Sequence, residues 1–227
     1  MALIGADGAG KTTVARALQG ALTIPSTYIY MGVNWDASNR LLPTTRVLRA
    51  VRRRRQAERD EGGPPDRPTA PSPAPLPKRA LRGAWSAFAL ANRVAEEWYR
   101  QLLAWVYVRR GHVVVYDRHF YSDYHAHDVL GRGHRTIGRH VHGLLLSRVY
   151  PKPDLVIFLD APPEVLHARK GEGTLAALER RRSDYLELAG DATHFVTVDA
   201  DAPLDRVISS VVREIEAFAE TNAASPR

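Results

Sequence analysis

The chain has no cysteine in its 227 residues, so it has neither a disulfide framework nor a thiolate zinc site. It has no apolar run approaching the length of a membrane span, and no membrane partner is expected. A His-Glu-x-x-His pair is missing as well. His119, His125, His127, His134, His140 and His142 crowd one region. Their i,i+2 spacings fall in a stretch that reads as loop and helix, where such side chains face apart. A histidine metal site is therefore set aside, although one of these residues stays a candidate acceptor contact. Acidic charge is in deficit, giving a net charge of +7. Such a balance favours anionic ligands. Nucleotide phosphates suffice for it; nucleic acid is the lesser reading, and charge alone does not separate the two.

What is present is organised around Gly5-Ala6-Asp7-Gly8-Ala9-Gly10-Lys11-Thr12, which fits G-x-x-x-x-G-K-[ST] without mismatch. Glycines let the backbone curl so that successive N–H groups point at phosphate oxygens, and the helix that follows adds its positive end. Lys11 reaches β- and γ-phosphates, and the Thr12 hydroxyl is a magnesium ligand. The context fits. Met1-Ala2-Leu3-Ile4 is a short apolar strand, and Thr13 to Leu22 carries the helical stripe Val14, Ala17, Leu18, Ala21 and Leu22. The motif starts at once, so no signal peptide is expected. The strand before it has only four residues, which leaves open a start upstream or a short strand.

The chain then predicts a strand over Thr27–Met31, ended by Gly32. The loop Val33-Asn34-Trp35-Asp36 falls at a carboxyl strand end, where open α/β sheets bind ligands. Acceptor contact by Asn34, Trp35 or Asp36 and a loop with a packed Trp are both open. Leu41 to Gln56 reads as a helix ending in Arg52-Arg53-Arg54-Arg55, a solvated helix end or a polyanion contact. Glu61 to Pro77 holds seven prolines and reads as neither helix nor strand, a lid over the acceptor or an ornament. Ala84 to Arg109 reads as one long helix capped by Gly111. Its stripe of Trp85, Phe88, Leu90, Val94, Trp98, Leu102 and Trp105 reads as core.

Three apolar runs end in Asp: His112–Asp117 followed by Arg118, Asp154–Asp160, and His194–Asp199. Separated by helical stretches, they indicate a parallel α/β sheet with one polar edge. Pro203 to Ala219 reads as a closing amphipathic helix. A carboxylate at that edge beside the phosphate loop can hold magnesium or accept a proton. Asp117 and Asp160 are the candidates, and Asp117 is favoured because Arg118 supplies a cation for a second phosphate. Arg169-Lys170 and Arg180-Arg181-Arg182 flank Gly171-Glu172-Gly173-Thr174, a hinge-like segment. Basic residues there form a lid that closes over a triphosphate, or an exposed charged helix.

These pieces resemble the thymidylate kinases and their P-loop nucleoside-monophosphate-kinase relatives. The matches are Gly5 to Thr13, Asp117-Arg118-His119 with Ser122, the strand Pro153–Asp160 with Ala161-Pro162-Pro163-Glu164, and the lid ending in Tyr185-Leu186-Glu187-Leu188. The resemblance implies an α/β P-loop NTPase three-layer fold, a five-stranded parallel sheet flanked by helices, plus a lid. It implies one kinase domain over residues 1–227, with a Pro-rich insertion near 60–80 and the lid at 169–182. ATP and Mg²⁺ are the implied cofactors, held by Gly5, Asp7, Gly8, Ala9, Gly10, Lys11, Thr12, Thr13 and Arg169, with Thr12 and Asp117 for the metal. Lys11, Asp117, Arg118 and Arg180 are the expected catalytic residues. Asp7 would contact an acceptor hydroxyl and Arg118 would grip the acceptor phosphate. The expected partner is a small-molecule phosphate acceptor, the location cytoplasmic, and a homodimer is left open.

The departures are two. Met31 to Asp36 replaces the family's Arg-Glu-Pro-Gly-Gly-Thr-like stretch, and no thymine clamp stands out in Tyr121 to His142, though Phe120, Tyr121 and Tyr124 could stack. A nucleoside monophosphate such as dTMP is the first acceptor expected, with a sugar or natural-product hydroxyl as the alternative. A nucleotide-gated binding protein without kinase activity is the non-enzymatic alternative.

Overall fold

The structure is a computed structural model, and it describes residues 1–31, 42–47, 50, 76–119, 148 and 150–223. Its main elements are β1 (Ala2–Ile4), α1 (Lys11–Ala21), β2 (Ser26–Tyr30), α2 (Leu76–Arg109), β3 (Val113–Asp117), β4 (Val156–Asp160), α3 (Pro163–Lys170), α4 (Leu175–Glu187), β5 (Phe195–Asp199) and α5 (Leu204–Ala223). The chain divides into two compact units, one of Met1–Asn39 with Leu103–Arg227 and one of Arg40–Leu102.

The first unit is built on one sheet in the order β2-β3-β1-β4-β5. Every pairing is parallel, as the three Asp-terminated runs predict. Their composition explains it. Val156, Ile157, Phe158 and Leu159 are all buried, as a parallel strand covered on both faces requires. β1 is only three residues long, but it is the central strand and pairs on both sides, Leu3 facing Asp117 and Ile157. The crevice where strand order reverses therefore lies at the carboxyl end of β1, between β3 and β4.

Leu3, Val115, Ile157 and Leu159 of the sheet pack with Val14, Ala15 and Leu18 of α1 and with Val207, Val211 and Ile215 of α5. The α5 residues recur every four positions and make one stripe. Helix α1 starts behind Gly10, which has φ +83° and no side chain with which to cap the helix. Gly10 thus offers no side-chain oxygen to the first amide groups, the usual arrangement where a helix start is given to an anion.

In the second unit, the buried stripe of α2 is polar. Glu96 is 3% exposed and accepts from Thr45 Oγ1 at 2.7 Å, from the Leu42 amide at 3.0 Å and from Arg100 Nε and Nη2 at 3.1 and 3.0 Å. Asn92, one turn earlier, accepts from Thr44 Oγ1 and donates to Thr45 Oγ1, each at 3.0 Å. A buried carboxylate with this many donors is stable where an unpaired one is not.

Two expectations are corrected here. The aromatic stripe of α2 is not all core: Phe88, Leu102 and Trp105 are exposed, because the inward positions are taken by Asn92, Glu96 and Arg100. The helix also begins at Leu76 rather than Ala84, with Pro77 as its second residue. Proline is tolerated there because first-turn amides have no intrahelical acceptor to lose. Prolines 64–75, Arg52–Arg55 and the loop Asn34-Trp35-Asp36 lie outside the described residues.

Ile215 is 2% exposed in the sheet-facing stripe of α5, whereas Leu204 is 49% exposed at its start. Ile215→Ala is expected to cost about 2–5 kcal/mol and Leu204→Ala about 0.5 kcal/mol or less, read from urea midpoints at unchanged m.

Candidate phosphate-binding site

The loop from Gly5 to Gly10 follows β1 and lies against the end of β4 and the start of the chain beyond it. Gly5 has φ +148°, and a Cβ there would sit 2.6 Å from the Leu159 carbonyl oxygen. Gly8 has φ +95°, and its Cβ would sit 2.6 Å from the Leu166 carbonyl oxygen. Neither site admits a side chain, so these two glycines set the curl. Lys11 is buried, and its ammonium donates to Gly5 O at 2.8 Å and Ala6 O at 2.7 Å. The charge thus lies across the loop it belongs to.

Asp117 ends β3 with no exposed surface. Its Oδ2 accepts from Thr12 Oγ1 at 2.7 Å and from the Tyr28 hydroxyl at 3.0 Å, while its buried Oδ1 has no hydrogen-bond partner among the described residues. Burial first, and then the Asp117 charge, push the Tyr28 phenol above its ordinary range, so it stays a donor. The threonine hydroxyl and the orphaned carboxylate oxygen are hard oxygen donors of the kind magnesium takes. Among the described residues no group of three or more His, Asp or Glu could hold a metal ion. Magnesium at a nucleotide needs only one or two protein ligands, the rest being water and phosphate, so the pair fits.

Arg118 follows with φ +60°, a left-handed backbone costly for a residue with a side chain. From this position its guanidinium donates to Asp7 of the phosphate loop. Arg181 of α4 pairs with the other oxygen of Asp7, and Lys170 stands 3.8 Å from it. Burial by itself would raise the Asp7 carboxyl, but Arg118, Lys11 and Arg181 outweigh it and hold the group at about 2. Arg182 makes a bidentate pair with Asp160 at 2.6 and 2.8 Å.

The structure thus brings together Gly5, Asp7, Gly8, Ala9, Gly10, Lys11, Thr12, Asp117 and Arg118 at the carboxyl edge of the sheet. Thr13 is exposed on α1. Arg169 donates to Ala200 O at 2.7 Å, beyond the end of β5. Arg180 is exposed, and among the described residues its side chain makes no hydrogen bond or ion pair; the arginines that approach the site are Arg181 and Arg182. The signal was in the helix period. Leu178 and Tyr185 are the buried residues of α4, so positions 181 and 182 flank the inward stripe and 180 is on the far side. Gly171 is the left-handed C-cap of α3, and Thr174 caps α4 by accepting from the Ala177 amide at 3.2 Å. Tyr28 had no such signal, since a tyrosine in a strand reads as a β-former. Histidines 125–142, Ser122 and the aromatics Phe120, Tyr121 and Tyr124 lie outside the described residues.

Fold and site together define a P-loop α/β protein of the NTPase type, with an acidic strand end beside the phosphate loop. By sequence it is similar to the probable thymidylate kinase of Archaeoglobus fulgidus, 33% identical over 118 residues, which is 49% of this chain and 57% of that protein. It is likewise similar to the probable thymidylate kinase of Staphylothermus marinus, 34% identical over 113 residues, 46% of this chain and 53% of that protein. The chain spans about half the length of the curated relatives it matches. No protein-family model matches it. Among the described residues no helix is long and apolar enough to cross a membrane.

His119, next to Arg118, is 1% exposed, edge-on to Tyr116 at 5.0 Å and lining a small cavity with Ala2, Ile4 and Leu188. Burial lowers its pKa from 6.5 to about 3. The unfolded chain therefore takes the proton first as pH falls: the stability is full above about 6.5 and declines down to about 3. His119→Gln is expected to flatten the pH dependence of stability across that window, measured by denaturant unfolding between pH 7 and pH 4.

Proposed function

We propose that the chain is an ATP-dependent phosphotransferase of the thymidylate-kinase-like type, moving the γ-phosphoryl group of ATP to a small phosphorylated acceptor. A nucleoside monophosphate such as dTMP is the acceptor this reading puts first. The observation that carries it is the convergence on Asp7 of Arg118 from the end of β3 and Arg181 from α4, one loop away from Lys11. A nucleotide sensor needs the phosphate loop but has little use for a second cationic station beside it.

In this reading the loop amides and Lys11 take the triphosphate, Lys11 exchanging its hold on Gly5 O and Ala6 O for β- and γ-oxygens. Thr12 and Asp117 would hold magnesium, which would supply positive charge to the triphosphate. Arg118 turns from Asp7 to the acceptor phosphate, and Asp7 accepts from an acceptor hydroxyl. Arg181, rather than Arg180, supplies charge to the transferring group, since it already reaches the loop. Holding acceptor and γ-phosphate in line is the larger part of the catalysis. Residues 169–182 act as the lid of a single kinase domain, and the location is cytoplasmic. Met31 to Asp36, which lacks the family's usual stretch, favours a second acceptor class, the hydroxyl of a sugar or natural product.

The test is ATP consumption by the purified chain against a panel of nucleoside monophosphates, dTMP included, and then hydroxylated metabolites. Turnover of one acceptor is expected, falling about 100-fold or more in Lys11→Ala. Undiminished turnover in that variant would overturn the site.

A further inference from the structure

Asp117 is held from one side by α1 and from the other by β2. Thr12 Oγ1 and the Tyr28 hydroxyl both donate to Oδ2, and the Met31 amide donates to the Asp117 carbonyl at 3.0 Å. Oδ1 is buried and has no hydrogen-bond partner among the described residues. The register explains why β2 uses a tyrosine. Tyr30 stands opposite Asp117 and Tyr28 opposite Val115, two residues earlier on the same face. Only a long side chain with a donor at its tip spans that offset. Serine, threonine and asparagine are too short, and phenylalanine has no donor.

An aspartate carboxyl turns easily about its last torsion, so a single donor leaves its two oxygens exchangeable. Two donors on one oxygen, from different elements, fix which oxygen is spoken for. The Thr12 oxygen is the one a magnesium ion would claim, and Tyr28 is the donor that stays. Carboxylates at metal sites are commonly aimed by such outer hydrogen bonds, and losing one weakens the metal about 10–100-fold.

We infer that Tyr28 is a positioning residue of the magnesium end of the site, fixing Asp117 Oδ2 so that Oδ1 is presented to the ion or its water. The inference rests on the reading of Thr12 and Asp117 as the metal-binding pair. Tyr28 itself touches neither nucleotide nor metal and acts through Asp117.

The experiment measures ADP affinity of the full chain by calorimetry, once with Mg²⁺ and once with EDTA, in wild type, Tyr28→Phe and Asp117→Asn. Phenylalanine keeps the ring and its packing and removes only the donor. Metal-free ADP affinity is expected to be unchanged in Tyr28→Phe, while the gain in affinity from Mg²⁺ shrinks about tenfold. If Asp117→Asn loses that gain and Tyr28→Phe keeps it in full, the role of Tyr28 is overturned while the metal pair stands. If Asp117→Asn also keeps the gain, the metal pair and the inference fall together. A loss of metal-free ADP affinity in Tyr28→Phe would mean a general disturbance of the loop and would equally overturn a role confined to the metal.

Discussion

A carboxylate with no exposed surface at the end of a strand is the constraint on which the site depends. A buried carboxylate without hydrogen-bond donors carries a large desolvation cost. Asp117 is instead held by hydroxyls of α1 and β2, and its backbone by β2. Those bonds fix the start of α1 against the middle of the sheet, which is also where the phosphate loop must turn. The loop adds its own steric demand, since Gly5 and Gly8 press on the carbonyls of Leu159 and Leu166. Phosphate cradle and acidic strand end are therefore one packed object.

Among the ion pairs that tie the basic segment to that object, two differ in strength. Arg182 meets Asp160 bidentately, with both groups less than a third exposed. Such fork geometry is the strong form of the ion pair. Arg181 is 52% exposed where it meets Asp7, and pairs of that kind contribute about 0–1 kcal/mol. The physical consequence is a division of labour. Arg182 holds α4 to the end of β4, and in the proposed reading Arg181 is the cation that leaves Asp7 for a stronger anion. Arg118 is aimed at the same carboxylate by a left-handed backbone that costs energy.

Much of this was legible in the residues. The loop motif, the three runs ending in Asp and the strand–loop–helix context located the sheet, its polar edge and the pair Thr12–Asp117. The reason is that local chemistry fixes these: glycine where no Cβ fits, and continuous apolar runs where strands are covered twice. What was not legible depended on partners far off in sequence. Tyr28 finds Asp117 only through the β2–β3 register. The inward face of α2 turned out polar because Thr44 and Thr45 supply bonds to Asn92 and Glu96. The choice among Arg180, Arg181 and Arg182 needed the burial of Leu178 and Tyr185, which the run of three like charges hid.

In the proposed phosphotransferase reading, the cation that completes transfer is Arg181, the one α4 turns toward Asp7. The direct measurement is kcat with the best monophosphate acceptor in Arg181→Ala beside Arg180→Ala. A fall of about 1,000-fold or more is expected for Arg181→Ala, the scale of a lost arginine finger, and a change of only a few-fold for Arg180→Ala. The reverse order, or equal small effects, would contradict that role for Arg181.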